Sequence, residues 1–270
     1  MKPAIKSDIV AELVETGTLS SFRVIDAHGH MGMFSGIYFP NPEPEDMLRT
    51  LDRCGVEWLA FSHHDALQNP ATGNHKAQVA IDAHPDRFLG YYAVNPHYAD
   101  QLRDAVANFD RLRGFIGYKI LAAYYNTPIT LDACKPLWEH AHEECLPVLL
   151  HTWGGDACAG CDKVREIAQR YPDARIIMGH AQYGDWDKAI ALSRDFPNVY
   201  CELTAAYAVN GVITKMVNDG IEDRVLFGTD LPWFDPMYGI GCVVFSDISD
   251  TARRKILRDN AARIFERWMG

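Results

Sequence analysis

The sequence predicts an α/β fold, a single (β/α)8 TIM barrel with a metal site at the C-terminal ends of its strands, and three observations lead there. Eight short apolar runs rich in β-branched and aromatic residues recur along the 270 residues, each followed by a longer segment with helical periodicity. Their starts lie 24 to 33 residues apart, the length of one strand, one helix and two loops. Five of the runs end in an isolated ionisable residue, and in a barrel the C-terminal strand ends face the active-site mouth. A doubly wound sheet is the runner-up, but no GxGxxG follows the first run, which removes support for its dinucleotide-binding form.

Taken in order, an extra N-terminal helix over 7–17 precedes the first strand, RVIDAHGH from Arg23. The remaining strands are VEWLAFSH from Val56, RFLGYYAVNP from Arg87, FIGYKIL from Phe115, PVLLHTW from Pro147, ARIIMGH from Ala174, NVYCELT from Asn198 and RVLFGTD from Arg224. Continuous apolar stretches such as VLL at 148–150 suit parallel strands buried on both faces better than half-exposed antiparallel ones. Helices are expected over 44–54, 74–84, 100–110, 131–145, 162–170, 185–195 and 208–219, with closing helices over 249–269, so that one barrel domain spans 1–270. Between 131 and 145, Cys134, Leu137, Trp138, Ala141 and Cys145 follow three-and-four spacing, and Pro136 falls in the first turns, where a missing N–H is tolerated.

Composition narrows the class further. With 48% hydrophobic and 23% charged residues the chain is too apolar to be disordered, and no stretch approaches the roughly 18 apolar residues of a membrane helix. A net charge of −10 argues against nucleic-acid and anionic-membrane partners, which are held by clustered Lys and Arg. Asp8, Glu12 and Glu15 interrupt any secretory h-region, so a cytoplasmic location is expected. Seven cysteines without framework spacing read as reduced thiols, and the lone CxxC of Cys158 and Cys161 lacks the second pair of a zinc site.

The chemistry concentrates at strand ends. His28 and His30 alternate onto one face of the first strand, and two adjacent imidazoles that would repel when charged are best explained by a cation between them. A lone histidine at a strand end is more often a hydrogen-bonded structural residue, which is the competing reading for His151 and His180 taken singly. His28, His30, His151 and Asp230 converge, however, from strands one, five and eight, and the eighth strand closes beside the first. Three nitrogens and one carboxylate make a usual zinc set that leaves room for water.

These residues, in DAHGH at 26–30, the His of LLHTW at 151, the His of IMGHAQ at 180 and the Asp of FGTDLPW at 230, resemble the amidohydrolase superfamily. The ending ILRDNAARIFERW is similar to the NAxRxF terminus of its amidohydrolase-2 family, which includes relatives of aminocarboxymuconate-semialdehyde decarboxylase. The resemblance implies one divalent metal, Zn most simply, on His28, His30, His151 and Asp230, with His180 as an electrophile or proton-transfer group. Lys119 matches the lysine that is carboxylated in binuclear members, where a second metal joins it to His180 and His151; in mononuclear members it is an ionic contact to substrate. The family ending favours one metal.

The expected reaction is hydrolysis of an ester, lactone or amide: the metal lowers the pKa of a bound water to roughly 7, Asp230 takes its proton, and His180 and Lys119 stabilise the oxyanion. The alternative is non-oxidative decarboxylation or hydration of a planar carboxylated substrate at the same metal. A metal-binding barrel without chemistry is the third reading. Phe34, Tyr124, Trp153 and Trp233, in the loops after strands one, four, five and eight, are the expected substrate contacts for a small molecule. Monomer and homo-oligomer both remain open. His75, His84, His140 and His142 are expected to be solvated on helices, and His63, His64 and His97, nearer the mouth after strands two and three, to be within reach of substrate but at best in the second rank. Glu202, inside strand seven, reads either as a buried structural carboxylate or as the partner orienting a ligand histidine.

Overall fold

The computed structural model describes residues 5–269; the ends of the expected 1–270 domain, residues 1–4 and 270, lie outside the described residues. One parallel sheet carries eight strands in chain order: β1 (Val24–Met31), β2 (Val56–His63), β3 (Phe88–Val94), β4 (Phe115–Ile120), β5 (Pro147–Trp153), β6 (Arg175–Tyr183), β7 (Val199–Glu202) and β8 (Val225–Leu226). This is the expected (β/α)8 barrel, nearly closed. The eighth strand departs from expectation, because only two residues of the 224–230 run pair with β7. Beyond them the chain is held to β1 by separate bonds, Ala27 N–H to Phe227 C=O at 2.9 Å, Asp230 N–H to His28 C=O at 2.7 Å and His30 N–H to Leu231 C=O at 2.6 Å.

Strand alternation sorts the apolar residues into two layers. Ile25, Ala27, Ala60, Tyr91, Leu149 and Ile177 fill the barrel interior. Their neighbours Val24, Phe61, Val148, Leu150, Ile176 and Met178 pack outward under the helices. Both faces of each strand are therefore buried, which is why the runs are continuous rather than alternating. The terminal NAARIF segment plugs the interior from below. Phe265 packs against Tyr91 with ring centroids 6.4 Å apart, and Asn260 donates to the carbonyls of Glu222 and Val225 at 2.7 Å each.

The expected N-terminal helix is α1 (Asp8–Thr16), started by Ser7, whose hydroxyl accepts the Val10 N–H, and stopped by Gly17 in the left-handed region. Helices follow at α2 (Pro44–Cys54), α3 (Pro70–Ala83), α4 (Ala99–Ala107), α5 (Lys135–Glu143), α6 (Cys161–Arg170), α7 (Trp186–Asp195) and α8 (Val212–Asn218). A further helix, α9 (Pro236–Val244), was not expected: PMYGIGCVV is apolar almost throughout and has no 3.6-residue contrast to betray it. The closing 249–269 region divides into α10 (Asp250–Arg254), a π-helical turn (Lys255–Asp259) and α11 (Asn260–Phe265).

Three histidines are less solvated than expected. His140 is half-buried and bonded to the Tyr118 hydroxyl at 2.7 Å, His142 accepts the Asp173 N–H at 3.2 Å, and His84 packs edge-on against Phe88. All seven cysteines are free, as expected. No helix among the described residues is long and apolar enough to cross a membrane.

Candidate active site

The C-terminal strand ends bring together side chains far apart in sequence. His28 and His30 leave β1, Lys119 leaves β4, His151 β5, His180 β6, and Asp230 follows β8. His28 Nε2 lies 2.9 Å and His30 Nε2 3.3 Å from Asp230 Oδ1; His180 Nε2 is 3.9 Å from Asp230 Oδ2 and 3.1 Å from His151 Nδ1. Lys119 Nζ sits beneath, 2.8 Å from His28 Nε2 and fully buried. His28, His180 and Asp230 each offer a ligand atom within 4.8 Å of the others. His180 thus joins His28 and Asp230 in that group, which His30 touches through Asp230 and His151 through His180.

Backbone conformation makes this convergence possible. His180, Ala181 and Gln182 hold φ of 64°, 47° and 53°, and Asp230 and Ala205 hold 56° and 61°, left-handed values that non-glycine residues adopt rarely. Such strain persists where surrounding structure over-determines it, and it gathers at functional sites. The bonds that hold it are visible. Gln182 donates from its side chain to Ala159 C=O and from its backbone to Thr152 Oγ1, and Asp230 N–H bonds back to His28 C=O.

Hydrogen bonding decides what the histidines can do. Glu202 is fully buried, and its Oε2 takes the His28 Nδ1 proton at 2.6 Å, while its Oε1 accepts the Thr204 N–H and hydroxyl. The sequence left two roles open for Glu202; the structure selects the orienting one. With Nδ1–H committed, His28 Nε2 lies 2.9 Å from Asp230 Oδ1 and 2.8 Å from Lys119 Nζ, so positive charge, whether a proton, the ammonium or a metal ion, holds this nitrogen against the carboxylate. Burial alone would depress the His28 pKa, but the carboxylates of Asp230 and Glu202 outweigh it and raise it to about 8. Burial drives His30 down to about 3 and His151 to about 4, and holds His180 well below its ordinary value, so these three are neutral at pH 7. Burial also brings the Lys119 ammonium down to about 8 against the pull of Asp230 and Glu202. Asp230 Oδ1 and His180 Nδ1 are buried without a hydrogen-bond partner. Neutral imidazoles, an ionised carboxylate with an orphaned oxygen and a carboxylate-oriented histidine are together the donor set of a divalent cation, and the residues fit one.

Above the cluster opens a cavity of about 270 Å³. Its walls include all four expected substrate contacts, Phe34, Tyr124, Trp153 and Trp233, and the cluster residues His30, His151, His180 and Asp230 form its floor. On one side Trp153 stacks on Tyr183 with centroids 4.5 Å apart; on the other Phe34, Phe39 and Trp233 pack edge to face. Lys119 and His28 lie below the cavity rather than on its wall. Sequence reasoning underrated His64, which is buried, lines the cavity and stacks on His30 with centroids 4.8 Å apart. Its position directly after β2 was the available signal. Its neighbour His63 faces away, into a crevice against α2 and α3, and His97 is exposed and tied to Tyr125 C=O and Thr127.

Comparison with known proteins adds three findings. A family model described as Amidohydrolase matches residues 25–267. No curated protein matches the sequence. Among solved structures, an uncharacterised TIM-barrel protein from Bordetella bronchiseptica is 17% identical with a TM-score of 0.76, over 92% of this chain and 99% of that one. A 2,6-dihydroxybenzoate decarboxylase from Rhizobium is 16% identical with a TM-score of 0.71, over 90% and 98%. A 5-carboxyvanillate decarboxylase from Novosphingobium aromaticivorans, complexed with manganese and 4-hydroxy-3-methoxy-5-nitrobenzoic acid, is 14% identical with a TM-score of 0.71, over 91% and 96%.

Proposed function

This chain belongs to the amidohydrolase family, and on that premise we propose that it is a metal-dependent non-oxidative decarboxylase of a planar carboxylated aromatic compound. The observation that carries the reading is the aromatic slot set directly over the His/Asp cluster. At about 270 Å³ the cavity lies just under the roughly 300 Å³ where drug-sized pockets begin, room for one substituted ring rather than an extended ligand. The two decarboxylases named above, both called after hydroxylated aromatic acids, support the same choice over hydrolysis.

One divalent cation, zinc by the donor set, would be held by His28, His30, His151 and Asp230, and when bound would neutralise a substrate carboxylate and draw it out of water. The manganese of the carboxyvanillate enzyme makes that metal the first competitor. Trp153, Tyr124, Phe34 and Trp233 line the cavity and would hold the ring between them, and the apolar area that the ring covers would lower the carboxylate's contact with water, a setting that disfavours the anion relative to uncharged CO2. Loss of CO2 leaves the electron pair of the broken carbon–carbon bond on the ring carbon, and one proton must fill that position. His180, with its unpartnered Nδ1, and Asp230, 3.9 Å from His180 Nε2, are the groups that hold and move it. Lys119, bonded to His28 Nε2, serves as a fixed positive charge beneath the site rather than as a carboxylated metal bridge.

The test is to supply the metal-loaded protein with mono-carboxylated hydroxybenzoates in D2O and, separately, with aryl esters and lactones. The reading expects one CO2 and one ring-bound deuterium per turnover. Acid release from esters or lactones without CO2 would overturn it in favour of hydrolysis.

A further inference from the structure

No strand ladder joins β8 to β1 at the barrel seam: the two paired residues of β8 pair with β7, and closure against β1 rests on one isolated bridge, Gly29 with Leu231, and separate backbone bonds. Both sides of that seam carry residues of the metal-type cluster, His30 on one and Asp230 on the other. A side chain from neither strand bridges them. His64, directly after β2, accepts the Trp233 indole N–H at Nε2 at 3.0 Å and donates from Nδ1 to Gly32 C=O at 2.7 Å. An indole only donates and a carbonyl only accepts, so one neutral tautomer satisfies both bonds and the ring has no nitrogen left for proton transfer. The ring is also sandwiched, with Phe39 at 5.6 Å and 8° on one face and His30 at 4.8 Å and 16° on the other. Trp233 in turn donates its backbone N–H to Asp230 C=O at 2.8 Å.

From this juxtaposition we infer that His64 is a positioning residue that clamps the Asp230–Trp233 turn to the His30–Gly32 turn, setting the spacing of the cluster and the orientation of the Trp233 wall together. The inference rests on the reading of His30 and Asp230 as metal-holding groups. Its wall component stands independently of that reading. Phe at position 64 keeps the sandwich and loses both hydrogen bonds; Gln keeps an acceptor for the indole.

The experiment measures zinc affinity by chelator competition, and the Trp233 environment by 19F NMR of 5-fluorotryptophan-labelled protein, with the resonance assigned by its absence in Trp233→Phe. His64→Phe should weaken zinc binding by about 10–100-fold and shift the Trp233 resonance, as loss of outer-shell partners does. His64→Gln should recover most of both, a rescue that a general packing defect would not show. Trp233→Phe should weaken zinc as His64→Phe does, and the double variant no further, because both break one linkage. Unchanged zinc affinity in His64→Phe, an unshifted resonance, or additive losses would each overturn the clamp. If His64→Phe does not fold, wild-type affinity in Trp233→Phe overturns it instead. A wild type that binds no divalent metal would refute the proposed function, and the 19F comparison would then judge the clamp by itself.

Discussion

Replacing Glu202 separates the two things that carboxylate does. It accepts from His28 Nδ1, from the Thr204 N–H and hydroxyl, and from the His180 N–H at 3.3 Å, all within the buried interior. Glu202→Ala strands four buried donors at about 1–3 kcal/mol each, a loss of at least ~4 kcal/mol against a typical total stability of about 5–15 kcal/mol. Glu202→Gln is milder for folding, because the amide oxygen still accepts from Thr204. Its NH2 group, however, now faces His28 Nδ1 and drives the imidazole proton to Nε2, where it bonds to Asp230 instead of leaving a lone pair for a cation. The same NH2 also faces the His180 N–H that Oε2 accepts, so the expected result is a 10–100-fold loss of metal affinity, roughly 1.4–2.8 kcal/mol, with metal-free unfolding lowered by about 1–3 kcal/mol. The assay pairs chelator competition at pH 9, above the His28 value of about 8, with urea unfolding of the metal-free protein. Wild-type metal affinity in Glu202→Gln, or an unfolding free energy within ~1 kcal/mol of wild type in Glu202→Ala, would refute the reasoning.

Three further outcomes follow from the same geometry. Asp230→Asn removes the charge shared by the cluster and one of its proton carriers, so turnover should drop by about 10²–10⁴-fold and bound metal with it; retained activity in a steady-state assay would remove Asp230 from the site. Gly228→Ala would set a Cβ 2.4 Å from Glu202 Oε1 and 2.7 Å from His28 Cβ, so the melting temperature should fall by the equivalent of about 1–3 kcal/mol, and an unchanged value would mean that this contact relaxes freely. Burial lowers His30 to about 3 and His63 and His151 to about 4, and lowers His180 as well, so each contributes stability present above about pH 6.5 and lost as pH falls towards its folded value. Asp26, raised to about 7 by burial, gains stability over the same fall but is one group against six, His64 and His140 being lowered by burial as well, so the metal-free protein should melt at lower temperature at pH 4.5 than at pH 6.5. Equal or higher melting at pH 4.5 would contradict that balance.

Much of the architecture was legible because it is written locally. Continuous apolar runs report burial on both faces, their 24-to-33-residue spacing reports one strand and one helix per unit, and an ionisable residue ending such a run reports an exposed strand end. Those signals mark His28, His30, Lys119, His151, His180 and Asp230 in the sequence itself. Helix α9 escaped because a segment that is apolar all round carries no periodic contrast.

What the tertiary structure alone decided concerns partners distant in the chain. Glu202 meets His28 across 174 positions, Thr229 meets Asp26 across 203, and Trp233 meets His64 across 169. Barrel closure sets those contacts, and near the seam it runs through left-handed turns and two-residue pairing that no hydrophobic period encodes. Sequence alone determined which kinds of side chain reach the mouth. Which proton His28 holds, and so whether its Nε2 can take a metal, was fixed by the Glu202 carboxylate that folding placed behind it.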